Sequence, residues 1–531
     1  MNDHAKGFQA IEHFFVLMLE NRSFDHLFGY SGIPRVDLTG QEFCPYDPDL
    51  PMVNPIYVTD KALDPTSADP PHEFDDVCYQ LTGRTTGGYA PASGLTMNGF
   101  AASARYGLIK GESQTKKNRM AARRGNGAYA MDCFRTNRAP GLRSLAKEFA
   151  LCTNWFSSMP GPTWPNRFFV HAASSGGLNN SPSPLRAGAA VILSDAAFSF
   201  ANGTIFDRFD QAKTGTWRIY HGDFFPQVLA IQSIVRRRMT LEIEHRLRPF
   251  KHFADDMSNP ELKPNYVFIE PRYNILSDSR GATSQHPLGT ISDGEKLIQR
   301  VYAAIRNSQI WEKSCLIITY DEHGGFYDRE RPPDAIPPGD DSRNHQKAEF
   351  PGNFDFTMLG VRVPAVIISP WIDREQLDPT LYDHTSILRT LEDRFELRPL
   401  TKRDAAANSL QHLFSLDEPR QDAPAWPVDE DMDAEEQPAD LPPEEDAEED
   451  TFTLSGNQAG LIRIAATLNF VDRHRTSGFA QRAFNALLAD RFPILATARA
   501  PVINSLADAR NYVATIEQQF GQLGQIPVLD E

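Results

Sequence analysis

The sequence lacks the short signatures of several common enzyme classes. It contains no G-x-S-x-G elbow, no P-loop, no H-E-x-x-H and no G-x-G-x-x-G. These absences leave serine hydrolases with that elbow, P-loop nucleotide hydrolases and dinucleotide-dependent oxidoreductases without support. The chemistry must therefore be sought in other polar segments.

Long apolar runs and regularly spaced cysteines are also missing. No run of about 18 apolar residues occurs, so we expect no transmembrane helix. Residues 1–7 show no basic stretch followed by an apolar one, so we expect a cytoplasmic protein, with signal-independent export as the alternative. The five cysteines are scattered at no metal-like spacing, which favours free, buried thiols.

Basic patches are absent as well, and the formal net charge is −17. Residues 421–450 hold fourteen acidic residues and no Lys or Arg, which leaves about −3 for the rest of the chain. The charge is therefore local. We expect no nucleic-acid partner.

The chain divides into three regions by composition. Residues 1–416 alternate apolar strands and helical stretches, which predicts an α/β fold with a mostly parallel sheet between helices. Residues 417–452 form an acidic linker, and residues 453–531 have helical periodicity. Packing of this helical region on the main domain is the first interpretation; membrane docking or homo-oligomer formation is the alternative. The predicted elements are strands at 11–19, 315–320 and 365–369 and helices at 141–150 and 292–309.

Two predicted strands end in paired oxygen-bearing side chains. The first runs into Glu20 and Asn21, and the second runs into Asp321 and Glu322. Ligands of open α/β sheets bind at the carboxyl ends of strands, and oxygen ligands suit a hard divalent cation. The alternatives are a helix cap at Asn21 and a solvated loop at the two acids.

A proline-rich segment surrounds Thr163, between Pro160 and Pro165. A rigidly held hydroxyl near a cation can attack phosphorus, and Asn166 and Arg167 could hold phosphoryl oxygens. The alternative is a turn residue beside a surface ion pair.

Several loop histidines are candidates for proton transfer, because histidine titrates near neutral pH. Each taken singly is also compatible with a structural role. The candidates are His72, His221, His286, His323 and His384.

Three long segments, in this order along the chain, resemble a phosphoesterase family. This family contains bacterial phosphatidylcholine-type phospholipases C, plant non-specific phospholipases C and the Francisella-type acid phosphatase. The segments are residues 20–26 (Glu-Asn-Arg-Ser-Phe-Asp-His), the Thr163–Arg167 stretch and residues 320–328 (Tyr-Asp-Glu-His-Gly-Gly-Phe-Tyr-Asp). Residues 383–388 and 97–100 resemble further family segments.

The resemblance implies a fold, a site and an activity. The fold would be an alkaline phosphatase-like sandwich. One divalent metal, Ca, Mg, Mn or Zn, would be held by Glu20, Asn21, Thr163, Asp321 and Glu322. Thr163 would be the nucleophile, with His72, His286, His221 and His323 as catalytic residues and Asn166, Arg167 and His384 on the substrate.

Threonine rather than serine at the nucleophile position favours the phospholipase branch. We therefore predict a metal-dependent phospholipase C that forms a phospho-threonine intermediate and contacts the membrane surface transiently. A broad-specificity acid phosphatase is the first alternative. A non-catalytic lipid-binding protein is the second.

Overall fold

The computed structural model describes residues 5–426, except 50–53, 67, 85–93, 107–126, 183–196, 224–225, 240–244, 260, 263, 274–280 and 341–353. The predicted helical region at 453–531 lies outside the described residues. Within these ranges, none of the helices combines the length and apolar character that a bilayer crossing requires.

In the described ranges an eight-stranded sheet forms the centre of the molecule. Its strands are β1 His13–Leu19, β4 Ala150–Cys152, β5 Trp217–His221, β6 Leu247–Pro249, β7 Tyr266–Glu270, β8 Ser314–Tyr320, β9 Ala365–Ile368 and β10 Gln376–Asp378, with β2 Phe43–Cys44 and β3 Ile56–Tyr57 forming a separate hairpin. The order across the sheet is β10-β4-β9-β8-β1-β7-β5-β6. In this sheet only β9 runs antiparallel to its neighbours β8 and β4; the other pairings are parallel. The prediction of a mostly parallel α/β sheet is thus confirmed.

Helices cover both faces of the sheet. Successive side chains of a strand point to opposite faces. In β1, Phe14 packs on Phe395 and Phe15 packs on Phe253, which lie on different helices. The helices of the described ranges are α1 Ala5–Ala10, α2 Phe24–Phe28, α3 Phe74–Thr82, α4 Phe100–Tyr106, α5 Pro140–Glu148, α6 Thr163–Ala172, α7 Ile205–Ala212, α8 Gln232–Met239, α9 Phe253–Ser258, α10 Ile291–Arg306, α11 Thr385–Phe395 and α12 Lys402–Ala406.

The two central strands carry the residues that matter for the site. Both β1 and β8 are buried along their whole length, as expected for apolar strands covered on two faces. Their parallel register pairs Leu19 with Tyr320. The next residues on each strand, Glu20 and Asp321, therefore emerge side by side at the carboxyl edge of the sheet.

A smaller layer, here called the cap, packs on the main domain through a second hydrophobic core. It consists of the hairpin β2–β3 with helices α3 and α4, and its core includes Ile56, Phe74, Val77, Phe100 and Met131. Helix α3 delivers Gln80 to the site, and the loop before it delivers His72.

The chain stays on the domain as far as Trp426. The hydroxyl of Tyr302 donates to the Pro424 carbonyl across 2.6 Å, and Trp426 packs edge-on against the ring of Tyr302. The first residues of the predicted acidic linker therefore lie against α10.

Candidate active site

The ends of β1 and β8 are joined by backbone hydrogen bonds. The backbone N–H of Asn21 donates to Oδ1 of Asp321 across 3.0 Å, and that of Arg22 donates to the Glu322 carbonyl across 3.0 Å. Asn21 adopts a left-handed backbone conformation (φ 56°), which asparagine tolerates better than most residues. The turn after Glu322 needs glycine, because a Cβ on Gly324 would lie 2.2 Å from the Asn21 carbonyl oxygen.

Thr163 is the first residue of α6 and lies next to this junction. Its hydroxyl Oγ1 is 3.4 Å from Oδ1 of Asn21, and only 4% of the residue is exposed. Pro162 precedes it with extended backbone, so the helix begins at Thr163. The amino end of a helix carries a partial positive charge, which favours a negative phosphoryl group there.

Asn166 holds the loop that precedes Thr163. Its Nδ2 donates to the carbonyls of Met159, Gly161 and Pro162, and its Oδ1 accepts from the Met159 N–H. The side chain is fully buried. Its hydrogen-bonding capacity is used within the loop, so these contacts favour a positioning role over the substrate contact that the sequence suggests.

Arg167 connects α6 to both strand ends. Its Nε donates to Oδ2 of Asp321 across 3.1 Å, and its Nη2 donates to the Met18 and Leu19 carbonyls. Arg167 therefore forms a buried ion pair, and the alternative interpretation of a surface ion pair is wrong. Its Nη1 has no hydrogen-bond partner and is buried.

His72 enters the site from the loop before α3. Nδ2 of Asn21 lies 3.2 Å from its Nε2, and its Nδ1 is 2.7 Å from the Pro70 carbonyl. Oε1 of Glu322 lies 3.9 Å from the same Nε2. Burial raises the pKa of the Glu322 carboxyl well above its usual range, whereas at His72 the charges of Glu322 and Asp69 outweigh burial and raise the pKa to about 10.

His323 also reaches the site, held by a residue that the sequence did not indicate. Oε1 of Gln80 lies 2.8 Å from Nε2 of His323, while Nε2 of Gln80 donates to the Pro71 carbonyl and to Ser103. Nδ1 of His323 is 3.4 Å from Oε2 of Glu322. Burial lowers the pKa of His323 well below its usual range. Gln80 lies on α3, and the sequence around it offers no signal for a site residue. Only its burial in the structure reveals the role.

His384 supports Asp321 through the backbone. Its Nε2 is 2.7 Å from the Asp321 carbonyl, and Nε1 of Trp155 donates to its Nδ1 across 3.3 Å. Both ring nitrogens are therefore engaged by protein groups. Burial lowers the pKa of this histidine, in agreement with a neutral ring.

The last two predicted histidines lie further from Thr163 in the contact network. His286 is buried with its Nε2 3.8 Å from Oδ2 of Asp69, and its carbonyl accepts from Arg22. His221 ends β5, which is separated from β1 by β7, and its Nδ1 contacts the Asp223 carbonyl. The described contacts join neither ring to Thr163 or Asn21.

The predicted metal ligands are gathered but partly engaged with one another. Both Asp321 carboxylate oxygens accept hydrogen bonds, from Asn21, Glu322 and Arg167. Oε1 of Glu322 is buried and lacks a hydrogen-bond partner, which is the atom most open to a cation. Glu20 is buried beside them. Across the described ranges, no three His, Cys, Asp or Glu residues meet closely enough to hold a metal; the amide of Asn21 and the hydroxyl of Thr163 would have to complete an all-oxygen set.

Comparison with known proteins decides the family. A model of the phosphoesterase family matches residues 11–398. The chain belongs to this family. The phosphoesterase is 34% identical over 448 residues to non-specific phospholipase C5 of Arabidopsis thaliana, covering 80% of this chain and 78% of that protein. It is 25% identical over 440 residues to phospholipase C B of Mycobacterium tuberculosis, covering 77% and 78%. The resemblance read from the sequence is confirmed, and the protein is a phosphoric ester hydrolase.

Solved structures give a weaker likeness. An alkaline phosphatase superfamily protein from Vibrio parahaemolyticus aligns with a TM-score of 0.30 and 17% identity, over 51% of this chain and 64% of that one. The fold class rests on the sheet of the phosphoesterase itself.

Proposed function

We propose that this phosphoesterase is a phospholipase C that hydrolyses phosphatidylcholine-like phospholipids to diacylglycerol and a phosphorylated headgroup. The observation that carries the proposal is the hydroxyl of Thr163, buried at the start of α6 and 3.4 Å from Asn21. The matched relatives are named as phospholipases C, which favours a phosphodiester substrate over a monoester.

The proposed reaction has two displacements at phosphorus. In the first, the Thr163 oxygen bonds to phosphorus and loses its proton to a base, while the bond to the glycerol oxygen breaks. A histidine protonates the departing alkoxide, and His72 is the histidine that Asn21 links to Thr163. In the second, water attacks phosphorus, the phospho-threonine bond breaks, and a proton returns to Thr163.

One divalent cation belongs to this proposal. Glu20, Asn21, Thr163, Asp321 and Glu322 would hold it, and the donor set suits Ca, Mg or Mn better than Zn. Bound there, it would supply positive charge against the charge that develops on the phosphoryl oxygens.

Calorimetric titration with each cation tests the metal independently of turnover. We expect binding to the wild type and its loss in Glu322→Gln. Glu392→Gln is the matched control, because Glu392 is a buried carboxyl on α11 and burial raises its pKa to about 10, so the substitution keeps a neutral side chain. Equal binding by the Glu322→Gln and Glu392→Gln variants would remove Glu322 from the ligand set.

A substrate comparison separates the phospholipase from the alternatives. Purified protein is supplied in turn with phosphatidylcholine and with an aryl phosphate monoester, with Thr163→Ala as the blank. Diacylglycerol release is expected to exceed monoester hydrolysis. Preference for the monoester would make the protein an acid phosphatase, and lipid binding without hydrolysis of either compound would make it a lipid-binding protein.

A further inference from the structure

The outer face of the cap exposes large apolar side chains close together in sequence. Of the six exposed large apolar residues in the described ranges, four lie between residues 43 and 63. They are Phe43 (37% exposed), Tyr46 (38%), Tyr57 (47%) and Leu63 (58%). Single exposed apolar residues are ordinary, but a local group of them marks an interaction site.

The hairpin presents its two aromatic rings as a fixed pair. Phe43 pairs with Tyr57 across β2 and β3, with ring centroids 5.6 Å apart. Their neighbours Cys44 and Ile56 face inward and are buried in the cap core. One face of the hairpin is therefore anchored, and the other is open to water.

The exposed run continues beyond the hairpin. Isolated bridges from Thr59 to Asp132 and from Lys61 to Phe134 hold this segment against residues 132–134, with a bend at Asp60 between them. Tyr57, Lys61 and Leu63 are all exposed, whereas Val58 is buried. The exposed apolar side chains therefore continue from the aromatic pair to Leu63.

A positively charged cavity adjoins Leu63. It has a volume of about 330 Å³ and is lined by Lys61, Ala62, Leu63, Arg135, Asn137 and Arg138. No carboxylate lines it. Two of the three cations have a carboxylate nearby: Arg135 lies 4.0 Å from Asp60 in an exposed pair, and Arg138 lies 3.7 Å from Asp64, whose side chain is only 5% exposed. The lining of the cavity is itself cationic and complements a phosphate group.

We propose that this face docks on a phospholipid bilayer, a proposal that rests on the proposed function. Phe43, Tyr57 and Leu63 enter the interface, where aromatic rings and short apolar side chains are favoured. The cavity at Lys61, Arg135 and Arg138 receives the phosphate of a lipid that is not being cleaved. We call this set the docking face.

A short stretch of chain connects the docking face with His72 of the site. Two of its residues are held by the main domain: the Thr66 N–H donates to the Pro287 carbonyl across 2.9 Å, and Asp69 lies against His286. Leu63 and His72 are nine positions apart in the chain, so their Cα atoms are at most about 30 Å apart. Docking there would hold the site close to the lipid surface.

Vesicle sedimentation with phosphatidylcholine tests the proposal. The parent protein in this assay is the Thr163→Ala variant, so that the lipid is not hydrolysed during the measurement. Adding Leu63→Ser should weaken binding about tenfold, because burial of one such side chain accounts for about that factor. Leu381→Ser is the matched control: Leu381 is 40% exposed and lies outside the docking face. Arg135→Gln with Arg138→Gln should also weaken binding, because it removes two of the three cationic groups that line the cavity for the lipid phosphate.

Equal binding by the Leu63→Ser and Leu381→Ser proteins, or no binding by the parent, would overturn the docking face. A second assay separates this failure from failure of the proposed function. With Thr163 restored, hydrolysis of a short-chain, monomeric phosphatidylcholine should be unchanged by Leu63→Ser, whereas hydrolysis of vesicles should fall about tenfold. Absence of monomer hydrolysis in the wild type would contradict the phospholipase activity. The vesicle-binding result would still decide whether the docking face exists.

Discussion

Nε of Arg167 donates to Oδ2 of Asp321 across 3.1 Å, at a place where neither side chain is more than 2% exposed. The same guanidinium donates to the Met18 and Leu19 carbonyls. One side chain thus fixes the nucleophile's helix against the ends of β1 and β8.

Replacing Arg167 by Ala should therefore cost more than an exposed ion pair does. Removing one partner leaves Asp321 buried and unpaired, which typically costs about 3–5 kcal/mol in the free energy of unfolding. Urea unfolding measures this value. Arg389→Ala is the control, since Arg389 pairs with Asp393 on the surface of α11 and such pairs contribute about 0.5 kcal/mol. Similar losses in both variants would contradict the buried role of Arg167.

Thr163 is expected to be essential for turnover but not for folding. Thr163→Ala should lower kcat by about a thousandfold or more, because among the described residues no other side-chain hydroxyl contacts Asn21. Thr163→Ser should retain measurable turnover, since it keeps the oxygen. The melting temperatures of the two variants should agree. Near-normal turnover by the alanine variant would remove the nucleophile assignment.

Gly324 should tolerate no side chain, because a Cβ there would clash with the Asn21 backbone. Gly32, which has the same backbone conformation without the clash, is the control. Gly324 (φ +64°) and Gly32 (φ +75°) both adopt the left-handed conformation, which costs alanine about 1 kcal/mol. Only at Gly324 would the new Cβ meet the Asn21 carbonyl, at 2.2 Å; at Gly32 the nearest atom is 3.7 Å away. Gly324→Ala should reduce kcat about a hundredfold by displacing Asn21, and Gly32→Ala should leave it unchanged. Equal kcat values in the two variants would argue against this clash.

His412 should make stability depend on pH near neutrality. Its hydrogen bond to Asp378, 3.1 Å long, raises its pKa above the ordinary value of about 6.5. The protonated ring therefore stabilises the fold fully below about pH 6.5, and this contribution is lost as the pH rises through the raised value. Asp378 stays ionised throughout, because hydrogen bonds from His412, Tyr382 and Thr380 outweigh burial and lower its pKa to about 2.

Melting curves of wild type and His412→Gln between about pH 6 and pH 8 measure this contribution. The wild type should lose more stability than the variant over that range. The difference should be at most about 1 kcal/mol, because His412 is half exposed. A parallel pH dependence in both proteins would exclude the pair as its source.

The strand ends were predictable because their signal is local. Apolar runs that end in polar pairs, such as Leu19 before Glu20 and Tyr320 before Asp321, reveal the carboxyl edge of a parallel sheet without any long-range information. The sequence did not indicate that β1 and β8 are neighbours; their parallel pairing in the sheet places the two polar pairs side by side.

Residues placed by long-range packing could not be predicted in the same way. Gln80 reaches His323 only because the cap folds over the sheet, and its own sequence context is that of an ordinary helix. Asn166 is a second example. Its neighbourhood predicts a phosphate contact, and only the structure reveals that its short side chain also binds the carbonyls of its own loop.

The site lies between two hydrophobic cores. Asn21 and Asp321 follow strands of the sheet and Thr163 begins α6, whereas His72 and Gln80 arrive with the cap. Protein regions with their own cores open as separate cooperative units. Because Phe169 of the Thr163 helix also packs in the cap core, opening of the cap would loosen the nucleophile and remove the proton-handling residues in the same event, so mild heating would silence the enzyme while the central sheet remains folded.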